Sequence, residues 1–331
     1  GHLLIRLALP SGVWAGIDPL GATLTALVLP DRAGRLADVL LSPATRGGGP
    51  YMGVTVGRYA NRIAGAAFAL DGAIHRLSAN DGPNCLHGGA EGFDARAWQV
   101  AASEPRGVTL RLSSPDGDQG FPGRLTAEAA YALSEDAAGV RLALTLTATT
   151  DRATPVSLTN HAYLNLSGGD ETIEDHRLGV AARRYLPVTP AAIPLPEAPA
   201  PVAGTPFDLR TPARLGERLA APHPQIAAMG GIDHCLALDG HGLRAAATLS
   251  HPRSGRRMVL WTDAPGMQVY TGNGLSGVAL RGGGVARRWG AVCLEPGAWP
   301  DAPNRADFPS AILRPGAVYR HRMIWVFPRP A

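Results

Sequence analysis

Residues 140–147 read Val-Arg-Leu-Ala-Leu-Thr-Leu-Thr, and the alternation in this stretch decides the fold class. In an extended segment, Val140, Leu142, Leu144 and Leu146 share one side, because successive side chains of a β-strand point to opposite faces. A helix of about 3.6 residues per turn would scatter the same four side chains around its axis. The stretch therefore predicts a β-strand with one buried face.

The same period of two recurs elsewhere in the chain. Residues 108–112 and 125–133 alternate in this way, and residues 323–327 (Met-Ile-Trp-Val-Phe) form a continuous apolar run. We expect the first two to be strands with one buried face and the third to be a more buried strand. Only residues 212–228 have a modest helical pattern, which Pro222 and Pro224 interrupt.

Turn residues separate these runs. Clusters at residues 71–72, 80–84, 114–118 and 239–240 combine Asp, Asn, Gly and Pro, which adopt turn conformations at low cost. Many short strands between such turns predict an all-β fold, a large antiparallel β-sandwich or barrel with few short helices. The Pro- and Ala-rich segment 188–204 is expected to be a long surface loop within a single domain, residues 1–331, because candidate site residues lie on both sides of it.

Composition excludes several classes of protein. The formal net charge is only +4 and the basic pairs are scattered, so no nucleic-acid partner is expected. All 31 basic residues are Arg, which excludes Schiff-base chemistry, pyridoxal phosphate and P-loops, since each needs Lys. Three widely spaced cysteines (Cys85, Cys235, Cys293) predict neither disulfides nor zinc, and favour a cytoplasmic location. No apolar run reaches about 18 residues, so no membrane partner is expected.

Three titratable residues stand at the ends of apolar, strand-like runs. Glu295 lies in Val-Cys-Leu-Glu-Pro, His87 in Leu-His-Gly-Gly and His161 in Thr-Asn-His-Ala-Tyr. Strand ends followed by turn residues are places where a rigid scaffold projects catalytic groups into a cleft. One carboxylate and two imidazoles can supply a base and an acid near neutral pH. The three residues therefore predict proton-transfer chemistry.

A series of motifs resembles those of the aldose 1-epimerases, also called galactose mutarotases. They occur in the family's order over nearly the whole chain: Gly57-Arg58-Tyr59-Ala60-Asn61-Arg62-Ile63, Leu86-His87-Gly88-Gly89, Ser114-Pro115-Asp116-Gly117, Asn160-His161-Ala162-Tyr163, Gly204-Thr205-Pro206-Phe207-Asp208, Ile232-Asp233-His234, Gly266-Met267-Gln268-Val269-Tyr270, and Leu294-Glu295-Pro296. Each motif alone would be weak evidence, whereas eight in order are strong.

The resemblance implies a galactose mutarotase-like supersandwich that interconverts the anomers of a free sugar without a cofactor or a metal. By position, Glu295 resembles the general base and His161 the general acid. The residues that resemble sugar-binding partners are Asn61, Arg62, His87, Asp233 and Gln268. One departure is Gly297, where many relatives have Gln, and with Trp299 it is expected to affect substrate preference. A monomer or weak dimer is expected.

The chemistry agrees with these roles. Anomer exchange removes a proton from the C1 hydroxyl and protonates the ring oxygen, which a carboxylate and an imidazolium on opposite sides of the sugar can do. Burial shifts both pKa values the wrong way for a charged pair. We therefore expect Glu295 and His161 to lie close enough for each to favour the other's charged form.

Three alternatives remain open from the sequence. The first is a non-catalytic carbohydrate-binding module on the same fold, and the second is an epimerase for another sugar or a sugar phosphate. The third is a metal-dependent enzyme that binds its ion through His87, His161 and a carboxylate, although the sequence has no closely spaced histidine pair to support it. His75, His234 and His251 are expected to have structural roles only.

Overall fold

A computed structural model describes residues 4–329 of the chain. Short β-strands dominate it, and only two short α-helices occur within this range. The strands are, in chain order, β1 Ile5–Ala8, β2 Trp14–Asp18, β3 Thr23–Pro30, β4 Leu36–Asp38, β5 Leu40–Leu41, β6 Thr55–Val56, β7 Arg62–Ile63, β8 Ala67–Leu70, β9 Ala73–Arg76, β10 Cys85–Leu86, β11 Gln99–Glu104, β12 Gly107–Ser114, β13 Leu125–Asp136, β14 Gly139–Thr150, β15 Thr154–Pro155, β16 Thr159–Asn160, β17 Tyr163–Leu164, β18 Arg177–Val180, β19 Arg184–Tyr185, β20 Ala200–Pro201, β21 Ala213–Arg214, β22 Asp233–Ala237, β23 Arg244–Ser250, β24 Arg257–Thr262, β25 Gly266–Tyr270, β26 Cys293–Gly297, β27 Ile312–Leu313 and β28 Tyr319–Pro328.

The largest sheet has nine strands in the order β11-β12-β13-β14-β28-β24-β23-β18-β21, and its neighbouring strands are antiparallel. Its longest strands form the hairpin β13–β14, in which Leu144 pairs with Tyr131. Leu142 and Leu144 are fully buried, whereas Arg141 on the same strand points to the other face and is exposed. The alternation at residues 140–147 thus does produce a strand with one buried face.

The prediction for residues 323–327 was wrong in one respect. These residues lie in β28, where Met323, Trp325 and Phe327 are buried but Ile324 and Val326 are only partly buried. Ile324 and Val326 point to the other face of the sheet, away from the core that contains Met323, Trp325 and Phe327. An uninterrupted apolar run can therefore belong to a strand with only one fully buried face.

A five-stranded sheet, in the order β20-β19-β22-β25-β26, packs with the large sheet around one continuous core. Leu236, Met267 and Leu294 enter this core from the five-stranded sheet, and Leu144 and Trp325 enter it from the large one. A third sheet, β1-β2-β3-β4, contributes to the same cluster. The predicted all-β antiparallel sandwich with few short helices is confirmed.

The helical pattern at residues 212–228 yields the two helices, α1 Leu215–Leu219 and α2 Pro224–Met229. Pro222 lies between them, and Pro224 is the first residue of α2, where its missing N–H costs nothing. No helix within residues 4–329 is long and apolar enough to cross a membrane. The segment 188–204 is tied to the five-stranded sheet, because β20 within it pairs with β19.

Candidate active site

One face of the five-stranded sheet carries three of the predicted site residues. Gln268 on β25 pairs with Glu295 on β26, and Asp233 on β22 pairs with Tyr270, two residues beyond Gln268. Directly paired residues, and residues two apart on one strand, project to the same side of a sheet. The opposite side faces the core, so the strand register alone brings the Asp233, Gln268 and Glu295 side chains together.

Asp233 and Gln268 are joined directly, since the Gln268 amide Nε2 donates to Asp233 Oδ1 over 2.7 Å. The oxygen of the same amide, Gln268 Oε1, is buried and has no hydrogen-bond partner within residues 4–329. A buried amide oxygen without a donor is costly unless a ligand or water supplies one. Gln268 therefore offers an acceptor to a molecule bound over this face.

Glu295 is buried, with 6% of its surface exposed. Burial raises the pKa of its carboxyl group well above the ordinary value, the negative charge of Asp233 raises it further, and Arg62 opposes the effect. Burial likewise raises the pKa of Asp233, against the hydrogen bond from Gln268. The site thus contains two carboxyl groups whose charge is expensive to remove from water.

His161 directly follows β16, and its ring reaches the same space as Glu295. Its Nε2 atom lies 3.5 Å from Glu295 Oε1, and both side chains are almost fully buried. Its main chain is held by two hydrogen bonds of 2.9 Å, from its N–H to Val54 O and from Gly53 N–H to its carbonyl oxygen. The predicted proximity of Glu295 and His161 is confirmed.

The electrostatic part of that prediction was wrong for the protein without a ligand. Burial lowers the pKa of His161 from 6.5 to about 4, while it raises the pKa of Glu295. Removal from water therefore outweighs the attraction that opposite charges would provide. In the free site both groups favour their neutral forms.

His87 lies beside His161, with a ring-centroid distance of 5.3 Å. Its Nδ1 atom accepts a 3.0 Å hydrogen bond from the backbone N–H of Asn61. A neutral imidazole whose Nδ1 is an acceptor carries its proton on Nε2, so His87 offers a donor on that side. Burial, and the neighbouring His161 and Arg62, lower the pKa of His87 well below 6.5 and keep the ring neutral.

Arg62 is oriented by Asp81, whose Oδ2 atom accepts from the Arg62 Nε over 2.6 Å. Within residues 4–329 the terminal guanidinium nitrogens of Arg62 make no hydrogen bond, which leaves them for a ligand. The side-chain oxygen of Asn61 accepts from the Arg62 backbone N–H over 2.8 Å. Asn61 therefore acts on its neighbours His87 and Arg62, and all seven predicted residues lie in or beside one site.

The backbone around the site is conformationally unusual. Tyr51, Asn61 and His87 have φ values of 60°, 67° and 52°, in the left-handed region that side chains other than glycine rarely adopt. Such conformations cost roughly 1–3 kcal/mol each and persist where the surrounding structure imposes them. Their concentration around one cleft is typical of a functional site.

A metal site is the main structural alternative, because ligand atoms of His87, His161 and Glu295 lie within 4.8 Å of one another. A metal would need a lone pair from each imidazole. The lone pair of His87 already accepts the Asn61 N–H, and its other nitrogen carries a proton. The three residues therefore fit a proton-transfer site better than a metal centre.

Sequence reasoning assigned no role to several residues that build the site. Tyr51, Tyr163 and Tyr270 have rings within 6.5 Å of the His161 ring, measured between centroids. Tyr163 stands two positions after His161 in a recognised motif, which was the available signal. Asp81 has no comparable signal, since a turn aspartate more often bonds to its own backbone.

Gly297 lines the cavity next to Gln268 and Glu295, and Trp299 packs against Gly266 on the neighbouring strand. Gly297 is fully enclosed, and a side chain there would lie against the Ser157 hydroxyl. The Trp299 indole donates to Pro265 O over 3.1 Å and meets Phe308 edge to face, with centroids 5.0 Å apart. Gly297 thus shapes the cavity wall and Trp299 supports the strand beside it, and the effect of both residues on substrate preference stays a prediction.

Comparison with known proteins identifies the fold and the family. The family model described as aldose 1-epimerase matches residues 4–325. The galactose mutarotase of Homo sapiens is 42% identical over 309 residues, which are 91% of this chain and 87% of that protein. The aldose 1-epimerase of Escherichia coli (strain K12) is 37% identical over 96% of this chain and 93% of its own.

Solved structures agree. A GalM/aldose epimerase homologue from C. elegans superposes with a TM-score of 0.91 at 29% identity and covers 99% of both chains. The galactose 1-epimerase of Lactobacillus acidophilus gives a TM-score of 0.84 at 30% identity, covering 97% of this chain and 93% of its own. From its motifs, its sandwich fold and these similarities, the chain belongs to the aldose 1-epimerase family.

Proposed function

We propose that this protein is an aldose 1-epimerase that interconverts the α and β anomers of free aldoses such as galactose or glucose. The observation that carries the proposal is the buried pair Glu295 and His161, 3.5 Å apart, with Glu295 as general base and His161 as general acid. The names of the relatives at 37–42% identity support the same reaction.

The short distance suits this reaction better than the expected placement on opposite sides of a sugar. The two oxygens that exchange protons, the C1 hydroxyl and the ring oxygen, are bonded to the same carbon. They are therefore less than two bond lengths apart, and one carboxylate and one imidazole that reach both must themselves be neighbours. Glu295 and His161 meet this requirement.

Each turnover conserves protons. Glu295 removes the proton of the C1 hydroxyl while His161 protonates the ring oxygen, so that the C1–O5 bond breaks and the open-chain aldehyde forms. The aldehyde group then rotates about C1–C2 and presents its other face. The C5 hydroxyl returns its proton to His161 as it attacks C1, and Glu295 protonates the carbonyl oxygen, which restores both groups.

The charge state of the free pair is compatible with these roles. The working arrangement, ionised Glu295 with protonated His161, holds one proton, as does the neutral pair that burial favours. Bound hydroxyl groups donate to the carboxylate and accept from the imidazolium, so they stabilise the charged arrangement. Ligand binding thus redistributes one proton within the pair.

The remaining predicted residues provide complementary hydrogen bonds. Arg62 and the Nε2–H of His87 are donors, whereas Asp233 and the unpaired Gln268 Oε1 are acceptors. Asn61 acts through its contacts with His87 and Arg62. Arg62 is the one arginine among the seven, which favours a neutral sugar over a sugar phosphate.

Polarimetry on freshly dissolved α-galactose and α-glucose tests the proposal. We expect the protein to accelerate mutarotation, and Glu295→Gln or His161→Gln to lower kcat by roughly 10²–10⁴-fold. Glu197→Gln, an exposed glutamate in the loop before β20, is the matched control and should leave the rate unchanged.

Absence of acceleration with every common aldose would overturn the assignment. The alternative of a non-catalytic carbohydrate-binding module predicts a different pattern. In that case Glu295→Gln would leave any rate unchanged, while Arg62→Ala would abolish sugar binding measured by calorimetry.

The remaining expectations form part of the same proposal. We propose that residues 1–331 act as one catalytic domain, of which residues 1–3 and 330–331 lie outside the described range. A monomer or weak dimer in the cytoplasm, with a small free sugar as its partner, is consistent with a site built from one chain. Sedimentation analysis tests the oligomeric state.

A further inference from the structure

The general acid in the proposed mechanism lacks the usual hydrogen bond that orients a catalytic histidine. His161 Nε2 faces Glu295, but His161 Nδ1 is buried and has no hydrogen-bond partner on another residue within residues 4–329; only the backbone of His161 itself interacts with the ring and opposes the lowering of its pKa by burial. In many catalytic and metal-binding sites a carboxylate or carbonyl holds this second nitrogen. Another contact must therefore fix the orientation of the His161 ring.

Aromatic rings provide that contact. The Tyr163 ring is stacked on the His161 ring, with centroids 5.0 Å apart and an interplanar angle of 16°. The Tyr51 ring is also nearly parallel to it, at 6.1 Å and 19°. Tyr270 approaches edge-on, at 6.5 Å and 80°, and stands at 85° to Tyr163. Ring faces packed in this way resist rotation of the imidazole.

The stacked tyrosines are themselves anchored to one another. Tyr163 is 1% exposed, and its hydroxyl donates to the carbonyl oxygen of Pro50 over 2.8 Å. Pro50 directly precedes Tyr51, so the same hydrogen bond holds the segment that carries the second ring. Tyr51 is only partly buried and also packs against His87, at 4.6 Å between centroids.

The face of a tyrosine ring also attracts positive charge, because its π-electrons give it a negative potential. An imidazolium stacked on Tyr163 is therefore favoured over the neutral ring, in opposition to burial. The groups that face His161 from the elements packed against it are Glu295 on β26, His87 after β10, Tyr51 before β6, Tyr163 on β17 and Tyr270 on β25, with Asp233 and Arg62 acting on Glu295. Among these groups, Glu295 and the tyrosine rings favour protonated His161.

We propose that Tyr163, with Tyr51 as a second wall, is a positioning residue that holds His161 by aromatic stacking in place of a hydrogen bond and stabilises its imidazolium form during ring opening. The inference rests on the proposed role of His161 as the general acid. Tyr163 and Tyr51 contact the His161 ring, and the residues proposed to bind the sugar keep their roles.

The test compares Tyr163→Phe with Tyr163→Leu. The phenylalanine variant keeps the stacked ring and should keep kcat within about threefold of the wild type. The leucine variant loses the ring, and we expect kcat to fall roughly 10-fold or more with KM changed less than about threefold, because the sugar-binding groups lie elsewhere. Equal losses in the two variants would overturn the proposal.

The pH profile supplies a readout that a loss of packing alone would not change. A general acid must be protonated, so kcat falls as pH rises through its pKa in the complex. Loss of the aromatic face should lower that pKa by about one pH unit and move the basic limb of the kcat profile in the acidic direction by the same amount. An unmoved limb in Tyr163→Leu would contradict the proposal.

A titration of the His161 Cε1–H signal by NMR separates this inference from the proposed function. The signal is identified by its loss in His161→Gln, and its pKa should be lower in Tyr163→Leu than in Tyr163→Phe. Failure of the wild type to catalyse mutarotation would refute the function, whereas identical His161 titrations would refute the stacking role. If Tyr163→Leu does not fold, Tyr51→Leu against Tyr51→Phe provides the same comparison at a partly exposed ring, with the same two readouts.

Discussion

His234 lies directly behind the candidate sugar-binding residue Asp233, and its titration should govern part of the acid sensitivity of the fold. Its Nδ1 atom accepts the Asp233 backbone N–H over 3.0 Å, and its Nε2 atom lies 2.9 Å from Gln225 Oε1, to which it donates. Its ring packs against Phe207, with centroids 4.4 Å apart. Protonation at Nδ1 would break the first of these bonds.

Burial lowers the pKa of His234 from 6.5 to about 3, helped by the nearby His223. The unfolded chain therefore binds more protons than the folded one between these two values, and stability falls as the pH falls through that window. From neutral pH to about pH 5, this one group should remove about 2 kcal/mol from the free energy of unfolding. Above about pH 6.5 it contributes no pH dependence.

The assay is urea unfolding, followed by tryptophan fluorescence, of the wild type and His234→Asn at about pH 7.5 and about pH 5. The variant should be less stable by roughly 3 kcal/mol at about pH 7.5, because it loses a buried ring, and by only about 1 kcal/mol at about pH 5. The loss between the two pH values should, however, be smaller than that of the wild type by about 2 kcal/mol. His241→Asn, at an exposed position, is the control and should keep the wild-type increment. If His234→Asn and the wild type lose the same stability on acidification, the reasoning is refuted.

Three further predictions concern the site. Asp81→Asn should raise KM for galactose by up to about fivefold, with a smaller change in kcat, because it weakens the partly exposed ion pair that orients Arg62. An unchanged KM would contradict this prediction. Exhaustive chelation should leave the mutarotation rate unchanged, because the lone pair of His87 already accepts a hydrogen bond. A loss of activity that added zinc restores would refute the proposal that the site works without a metal. Gly88→Ala should give mostly insoluble protein or a strongly lowered melting temperature. Gly88 has a φ of 89°, and the Cβ atom of an alanine there would overlap the Gly57 carbonyl oxygen. A wild-type melting temperature would show that the backbone at this position can move.

Much of the fold follows from patterns that are local in the sequence. The alternation at residues 140–147 fixes which side chains are buried, because the β-strand period leaves no other choice. The proline positions at 222 and 224 likewise divide the weak helical pattern into two helices. The prediction from the apolar run at residues 323–327 was wrong because hydrophobicity shows only that a face of the strand can be buried. Which face is buried depends on the elements that pack against it.

The site could be predicted only where motifs carried the information. Glu295 and His161 were named from their motifs, but their separation of 3.5 Å depends on how β16 and β26 meet, which no local pattern encodes. The reversal of their pKa preferences follows from depth of burial, which also requires the folded chain. Tyr51 and Asp81 act through contacts with distant segments, so their contributions became visible only in three dimensions.

The register between β25 and β26 has a consequence for how the enzyme can fail. Side chains alternate along β26, so a slip of one residue would turn Glu295 into the hydrophobic interior and present Leu294 to the cavity. If Glu295 is the general base, as we propose, a misassembled molecule would be inactive outright, with no graded loss of rate. Catalytic activity per mole of protein then measures the fraction of molecules in which β25 and β26 pair in the native register. Polarimetry can therefore report the refolding yield.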